Sequence, residues 1–265
     1  MTLLIGSVYA NGNNSDLEWL AIQKHFLETT TENYKLVGVV PHPIEGTTIS
    51  DYIQIIAGPK EQVTDVIDAH VYGLRALKNY FEANQDKYDH LLILDSDAFP
   101  IKRGWQKLLD RLTARRFEIA CVVRCELLET RLHVCVIYAK PESLPYLDFH
   151  SGVPTGADGP KKCILTTMYD QGPCPIRYEE NRRDRAFPLL KSNQFTEDPL
   201  TGTIYYDMFY HHGSGSRKKK TRANRYWRHM IKSQNTDLKK RLLENPNETI
   251  AKLAGWNPKS YGGLG

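Results

Sequence analysis

The chain has 265 residues, of which 41% are hydrophobic and 25% charged, with a formal net charge of +4. That composition excludes a disordered or fibrous chain and suits one sizeable globular domain. No apolar run reaches the roughly 20 residues that span a bilayer. The opening MTLLIGSVYA lacks the basic start and long apolar stretch of a signal peptide. The five cysteines, Cys121, Cys125, Cys135, Cys163 and Cys174, are odd in number and contain no CxxC pair. They therefore indicate neither a disulfide framework nor a zinc site, and a cytoplasmic location is expected.

In chain order, Leu3 to Tyr9 reads as a first strand and residues 10–15 as a loop, with Ser15 placed to cap a helix that begins at Asp16. Leu17, Leu20, Ile22 and Phe26 give that helix an apolar face. Lys35 to Val40 reads as a second strand ended by Pro41, and Tyr52 to Ala57 as a short third. Helical spacing runs from Glu61 to Asn84 through Val66, Val71, Leu74, Leu77 and Tyr80, directly into Leu91 to Leu94. Strands alternating with helices imply a doubly wound, mostly parallel sheet. Gly104 to Arg116 follows as an amphipathic helix, and Phe117 to Val123 with His133 to Ala139 as an antiparallel strand pair. After the loop Thr155 to Pro160, a short helix to Tyr169 and a Gly/Pro break at Gln171 to Pro175, the stretch Thr203 to Tyr210 reads as one further strand. Thr221 to Ala254 reads as basic helices broken near Asn235 and Pro246.

Two motifs carry chemistry. Leu91 to Pro100, LLILDSDAFP, is a strand buried on both faces that stops in Asp95-Ser96-Asp97. In open α/β sheets ligands bind at this carboxyl edge, and two carboxylates one residue apart suit a divalent cation that also touches phosphates. Capping and solvation are the plain alternative for such a pair. The second motif, Tyr210 to Arg217, delivers His211 and His212 to a glycine-rich turn. Imidazole is a good ligand for manganese-type ions, and strand alternation sends only one of the two inward. A basic block follows, Arg217 to Lys220 with Arg222, Arg225 and Arg228, extended by Lys239 to Arg241. It fits a solvated helix face, a diphosphate contact or an anionic membrane surface, and no nucleic-acid motif accompanies it.

With both motifs in view, the chain resembles a GT-A glycosyltransferase of the bacterial or viral type that carries DSDAFP in its first half and YHHG, a small residue and GSR in its second. The resemblance extends from SVYANGN through His70, Asp95-Ser96-Asp97, Thr155 to Asp158 and Leu189 to Asn193 to Arg217. It implies a GT-A-like α/β fold with a small antiparallel portion and C-terminal helices. One domain over 1–265 is expected, with a nucleotide-binding half at 1–100, an acceptor and metal half at 101–217 and a basic helical tail at 218–265. It also implies a metal-dependent enzyme of the hexosyltransferase type, moving a sugar from a nucleoside-diphosphate sugar, UDP-sugar before GDP-sugar, to a hydroxyl acceptor on a glycan, lipid or protein. Ser7, Val8, Tyr9 and Asn11 would hold base and ribose, with His70, Asp95, Ser96, Arg217 and Lys218 also on the donor. Asp95, Asp97, His211 and His212 are the candidate ligands of Mn2+ or Mg2+.

Asp158, in a Gly-rich loop, is the candidate base for an inverting reaction and is equally placed to be a helix cap. Glu197-Asp198 imitates a base motif but lies too close to the His strand. Peripheral membrane contact through the basic helices is a further expectation, and nucleic acid is not a partner. The rivals are an aspartyl-nucleophile phosphatase-like hydrolase, whose motif normally continues to a Thr where this chain has Phe99, and a non-catalytic nucleotide-sugar-binding module.

Overall fold

The computed structural model describes residues 2–9, 14–41, 54–56, 66–114, 119–124, 131–147, 149, 203–205, 208–212 and 238–253. Nine strands are found among them: β1 (Leu3–Val8), β2 (Tyr34–Val39), β3 (Gln54–Ile56), β4 (His90–Asp95), β5 (Ala98–Pro100), β6 (Ile119–Arg124), β7 (Arg131–Ala139), β8 (Thr203–Tyr205) and β9 (Phe209–His211). The α-helices are α1 (Asn14–Thr30), α2 (Val66–Glu82), α3 (Trp105–Ala114), a helical segment over residues 238–244, and α4 (Pro246–Leu253).

The main sheet has six strands in the order β3-β2-β1-β4-β7-β6. β1 pairs in parallel with β2 and β4, β2 with β3, while β7 joins β4 and β6 in antiparallel fashion. This is the expected mostly parallel α/β sheet with a small antiparallel portion. From β1 the chain first moves outward to β2 and β3, then crosses back through α2 to β4 on the other side of β1. The β1–β4 junction is therefore the topological switch point, where open sheets leave a crevice at their carboxyl edge. Asp95 lies at that edge, paired in register with Val8.

Strand alternation sorts the two faces of the sheet. Leu4, Val8, Leu91 and Ile93 face α2, packing on Val71, Leu74, Leu77 and Phe81. Leu3, Ile5, Tyr9, Leu92 and Leu94 face the opposite way, toward Leu20 and Leu27 of α1 and Trp105 and Leu109 of α3. Each large aliphatic side chain so buried contributes about 1.5–3 kcal/mol. Two glycines let α2 approach closely: a Cβ on Gly73 would lie 2.4 Å from Val8 Cγ1, and one on Gly6 2.5 Å from Leu77 Cδ2.

The single apolar face expected for α1 is in fact two. Leu20 and Leu27 face the sheet, whereas Trp19, Ile22 and Phe26 form a third cluster with Phe99, Ile101, Ile204, Tyr210, Leu238, Leu242, Ile250 and Leu253. The apolar stripe of the last helices is thus turned inward onto α1, and Leu243 is the exposed large hydrophobic residue among those described. No helix of the described residues is long and apolar enough to cross a membrane.

Thr203 to Tyr210, expected as one strand, is two. β8 and β9 pair antiparallel with Tyr205 opposite Phe209. β9 also pairs with β5, giving a small sheet in the order β5-β9-β8. Pro100 ends the edge strand β5, where the missing N–H costs no ladder bond.

Candidate metal centre

The small sheet explains how residues far apart in sequence meet. β4 ends at Asp95, the chain turns through Ser96 and Asp97, and β5 leaves antiparallel to β9 with Ala98 opposite His211. The backbone N–H of His212 donates to the Asp97 carbonyl at 3.0 Å, locking β9 to the turn. His211 Nε2 consequently stands 3.4 Å from Asp95 Oδ2 and 3.4 Å from Asp97 Oδ1. One ligand atom from each of Asp95, Asp97 and His211 lies within 4.8 Å of the other two, which makes these residues a candidate metal-binding group. Two carboxylate oxygens and one imidazole nitrogen are a donor set that fits a divalent cation such as Mn2+.

The charges of the group are coupled. Burial pushes the Asp95 carboxyl up, but contacts with His211 and His70 outweigh it and hold the group well below the usual carboxylate range. Burial likewise acts against Asp97, and the neighbouring His211 brings it below its ordinary value. For His211, burial disfavours the proton, whereas the Cys135 sulfur and the Asp97 and Asp95 carboxylates favour it and keep the imidazole well above its usual value. The directions follow from magnitude: opposite unit charges ~3.4 Å apart attract by about 5 kcal/mol at an effective dielectric of ~20, enough to overcome desolvation.

Of the two histidines, His211 alone joins the carboxylates. His212 is fully buried, with Nδ1 2.9 Å from the Tyr210 hydroxyl and its ring 4.7 Å from that of Trp19. Burial pushes its pKa down to about 4, so it is a neutral packing residue at neutral pH. Adjacent strand positions point to opposite faces, which separates the pair.

His70, expected on the nucleotide, has Nε2 3.3 Å from Asp95 Oδ1. It lies on the sheet-facing stripe of α2 with Leu74, Leu77 and Phe81. Asp95 and His70 are the members of the cluster that reach solvent, with side chains 18% and 21% exposed.

The side chains of Ser7, Val8 and Tyr9 are buried. The Ser7 and Tyr9 hydroxyls donate to Gln23 Oε1 at 3.1 and 2.9 Å, and both residues are fully buried. Val8 packs against α2 at Gly73. Burial raises the Tyr9 phenol far above its ordinary value, with the Ser7 contact acting in the other direction, so it stays neutral. Ser96 is half-buried in the turn after β4. Asn11, Asp158, Tyr169, Arg217, Lys218 and Trp227 lie outside the described residues.

Sequence reasoning missed Gln23. Its Nε2 donates to the carbonyls of Asp95 at 3.2 Å and Ala98 at 2.8 Å, so one buried amide ties β1 to both arms of the DSD turn. The available signal was its position: Leu20, Gln23 and Leu27 share one helical stripe, and a polar residue on a core-facing stripe needs partners.

No family model and no curated protein sequence matches the chain. Solved structures similar to it include A197 from STIV, at 14% identity and a TM-score of 0.35 over 63% of this chain and 78% of that one. A glycosyltransferase involved in glycosylation of the major capsid of PBCV-1 is similar at 10% identity and a TM-score of 0.39, over 70% of this chain and 76% of that one. S. aureus TarS 1–349 is similar at 10% identity and a TM-score of 0.42, with 63% of this chain and 54% of that one covered. At these similarities the functional reading rests on the site's own chemistry.

Proposed function

We propose that the protein is a metal-dependent glycosyltransferase that moves a hexosyl group from a nucleoside-diphosphate sugar to a hydroxyl acceptor. The observation that carries this reading is the convergence of Asp95, Asp97 and His211 at the carboxyl edge beside the β1–β4 switch point. Asp95, Asp97 and His211 would hold the cation, Mn2+ before Mg2+ because an imidazole is in the set. When bound, such an ion neutralises charge on a leaving diphosphate.

The donor would lie across the crevice with its diphosphate on the solvent side of Asp95, and UDP-sugar is the favoured donor. Because the side chains of Ser7, Val8 and Tyr9 are committed to packing, β1 would offer backbone groups to the nucleotide, with Asn11 at the start of the loop. Ser96 would meet the ribose, and Arg217 and Lys218 the leaving phosphates. Asp158 would take the acceptor proton in an inverting reaction.

A phosphatase of the aspartyl-nucleophile class needs a carboxylate oxygen free to attack phosphorus. Here Asp95 Oδ1 faces His70 and Oδ2 faces His211, an arrangement that favours ion binding over nucleophilic attack. The test is release of nucleoside diphosphate from a panel of UDP- and GDP-sugars with varied Mn2+ and Mg2+, in wild type and Asp97→Asn. Mn2+-dependent turnover that falls more than about 100-fold in the variant is expected, since both binding and charge stabilisation are lost. Turnover that persists in a chelator, or in Asp97→Asn, would overturn the proposal.

A further inference from the structure

The two oxygens of Asp95 have different neighbours. Oδ2 faces His211 within the candidate metal group, whereas Oδ1 is buried with no hydrogen bond of good geometry, and His70 Nε2 stands 3.3 Å from it. His70 itself is not a member of the group whose ligand atoms lie within 4.8 Å of one another. We propose that His70 is a positioning residue, whose Nε2 turns its N–H onto the unpartnered Oδ1 when a cation binds and so fixes the Asp95 carboxylate with Oδ2 presented to the ion. This rests on the metal-dependent reading above and adds a role to a side chain expected on the nucleotide.

Three observations support it. A carboxylate that swings about its Cβ–Cγ bond offers a cation an ill-defined ligand, and a donor on the other oxygen removes that freedom. The donor is rigidly mounted, because His70 shares its stripe with the fully buried Leu74, Leu77 and Phe81. The helix is also seated at closest approach, with bare glycine at positions 73 and 6 where α2 and β1 touch. Asp95 reaches its place equally firmly, as the last residue of a strand whose preceding four side chains are buried and whose carbonyl is held by Gln23. Two fixed elements therefore bring His70 Nε2 within 3.3 Å of Asp95 Oδ1.

The role predicts a specific pattern of Mn2+ binding, read by electron paramagnetic resonance on the full chain without nucleotide. Wild type binds Mn2+, and His211→Ala, which deletes a ligand, does not. His70→Ala weakens Mn2+ binding about 10–100-fold, the usual cost of losing a residue that orients a ligand. His70→Gln, whose amide places an N–H close to where Nε2 stood, restores affinity toward wild type. A control reads metal-free binding of UDP by calorimetry, which His70→Ala leaves unchanged.

Wild-type Mn2+ affinity in His70→Ala, or His70→Gln as weak as His70→Ala, overturns the positioning role while the metal centre stands. Intact Mn2+ affinity with a loss of metal-free UDP binding returns His70 to the nucleotide and also overturns it. Wild type that binds no Mn2+, indistinguishable from His211→Ala, takes down the metal reading itself and the inference with it.

Discussion

The side-chain amide of Gln23 donates to the Ala98 carbonyl at 2.8 Å, across 75 positions of sequence. The same nitrogen reaches Asp95 O at 3.2 Å, and its oxygen accepts from Ser7 and Tyr9. A single neutral residue in α1 thereby satisfies four polar groups where the sheet hands over to the candidate site. Because the bonds to Ser7, Tyr9 and Ala98 are buried, deleting the amide leaves those partners without water as a substitute.

Gln23→Ala is expected to destabilise the protein by about 3 kcal/mol, the lower end of what several orphaned buried groups cost together. Gln23→Glu is expected to be at least as harmful despite its shape, since a carboxylate cannot donate to the Asp95 and Ala98 carbonyls. Urea denaturation of the two variants checks this, and a Gln23→Glu variant as stable as wild type would refute the donor role.

His212 makes folding sensitive to acid. Its folded-state pKa of about 4 lies below the unfolded value of ~6.5, so its stabilising contribution is complete above pH ~6.5 and is lost as pH falls through about 4. The loss amounts to roughly 3 kcal/mol, at about 1.4 kcal/mol per pH unit. His212→Phe removes this titration, so its stability between pH 6.5 and 4 should fall less steeply than that of wild type in parallel urea titrations. Mn2+ binding should survive the change, because the His212 side chain lies outside the Asp95, Asp97 and His211 group.

His211 titrates in the opposite sense. Its folded pKa is raised, so its contribution to the metal-free protein is complete below the unfolded imidazole value and is lost as pH rises through the folded value. A cation requires the neutral imidazole and must displace that proton. Mn2+ affinity should therefore rise about tenfold per pH unit around neutrality, with proton release on binding. Calorimetry in two buffers of different ionisation enthalpy measures the release directly, and a pH-independent affinity would contradict the assignment.

The two close-approach glycines should differ in tolerance. At Gly6 an added methyl meets the end of the Leu77 side chain, which can rotate, whereas at Gly73 it meets both Cγ atoms of Val8, a stiff β-branched residue. Helix propensity favours Gly73→Ala by about 1 kcal/mol, but forcing apart a packed helix and sheet costs about 1–3 kcal/mol. Net destabilisation larger for Gly73→Ala than for Gly6→Ala is expected in denaturant melts. Mn2+ affinity should fall with it, because α2 carries His70.

Much of the fold was legible because its signals are local. The aliphatic run before Asp95 and the helical spacing of Leu74 and Leu77 each depend on a dozen residues or fewer, and β1, β2, β4, α1 and α2 follow within a few positions. The carboxylate pair was legible for the same reason. What sequence did not disclose required knowing how elements are rotated against one another. His70 looked like a lone helical histidine until Leu74, Leu77 and Phe81 fixed which way its stripe faces. Nor did the sequence disclose that the Ser7 and Tyr9 hydroxyls meet Gln23, which depends on strand parity against α1. The strand pair β8 and β9 was hidden because its strands are three residues each, too short for a period to show.

The three-residue strand β9 also imposes a timetable on the molecule. Asp95 and Asp97 leave the ribosome long before His211, and a segment ending at β5 contains both carboxylates without the imidazole that offsets their charge. Two acids in a drying cleft repel, so that edge of the newborn sheet stays wet while β1, β2 and β4 are already able to assemble. The pairing of β9 with β5 brings the imidazole of His211 to the two acids. The ion-binding edge can thus be completed only once β9, far downstream of the two acids, is in place.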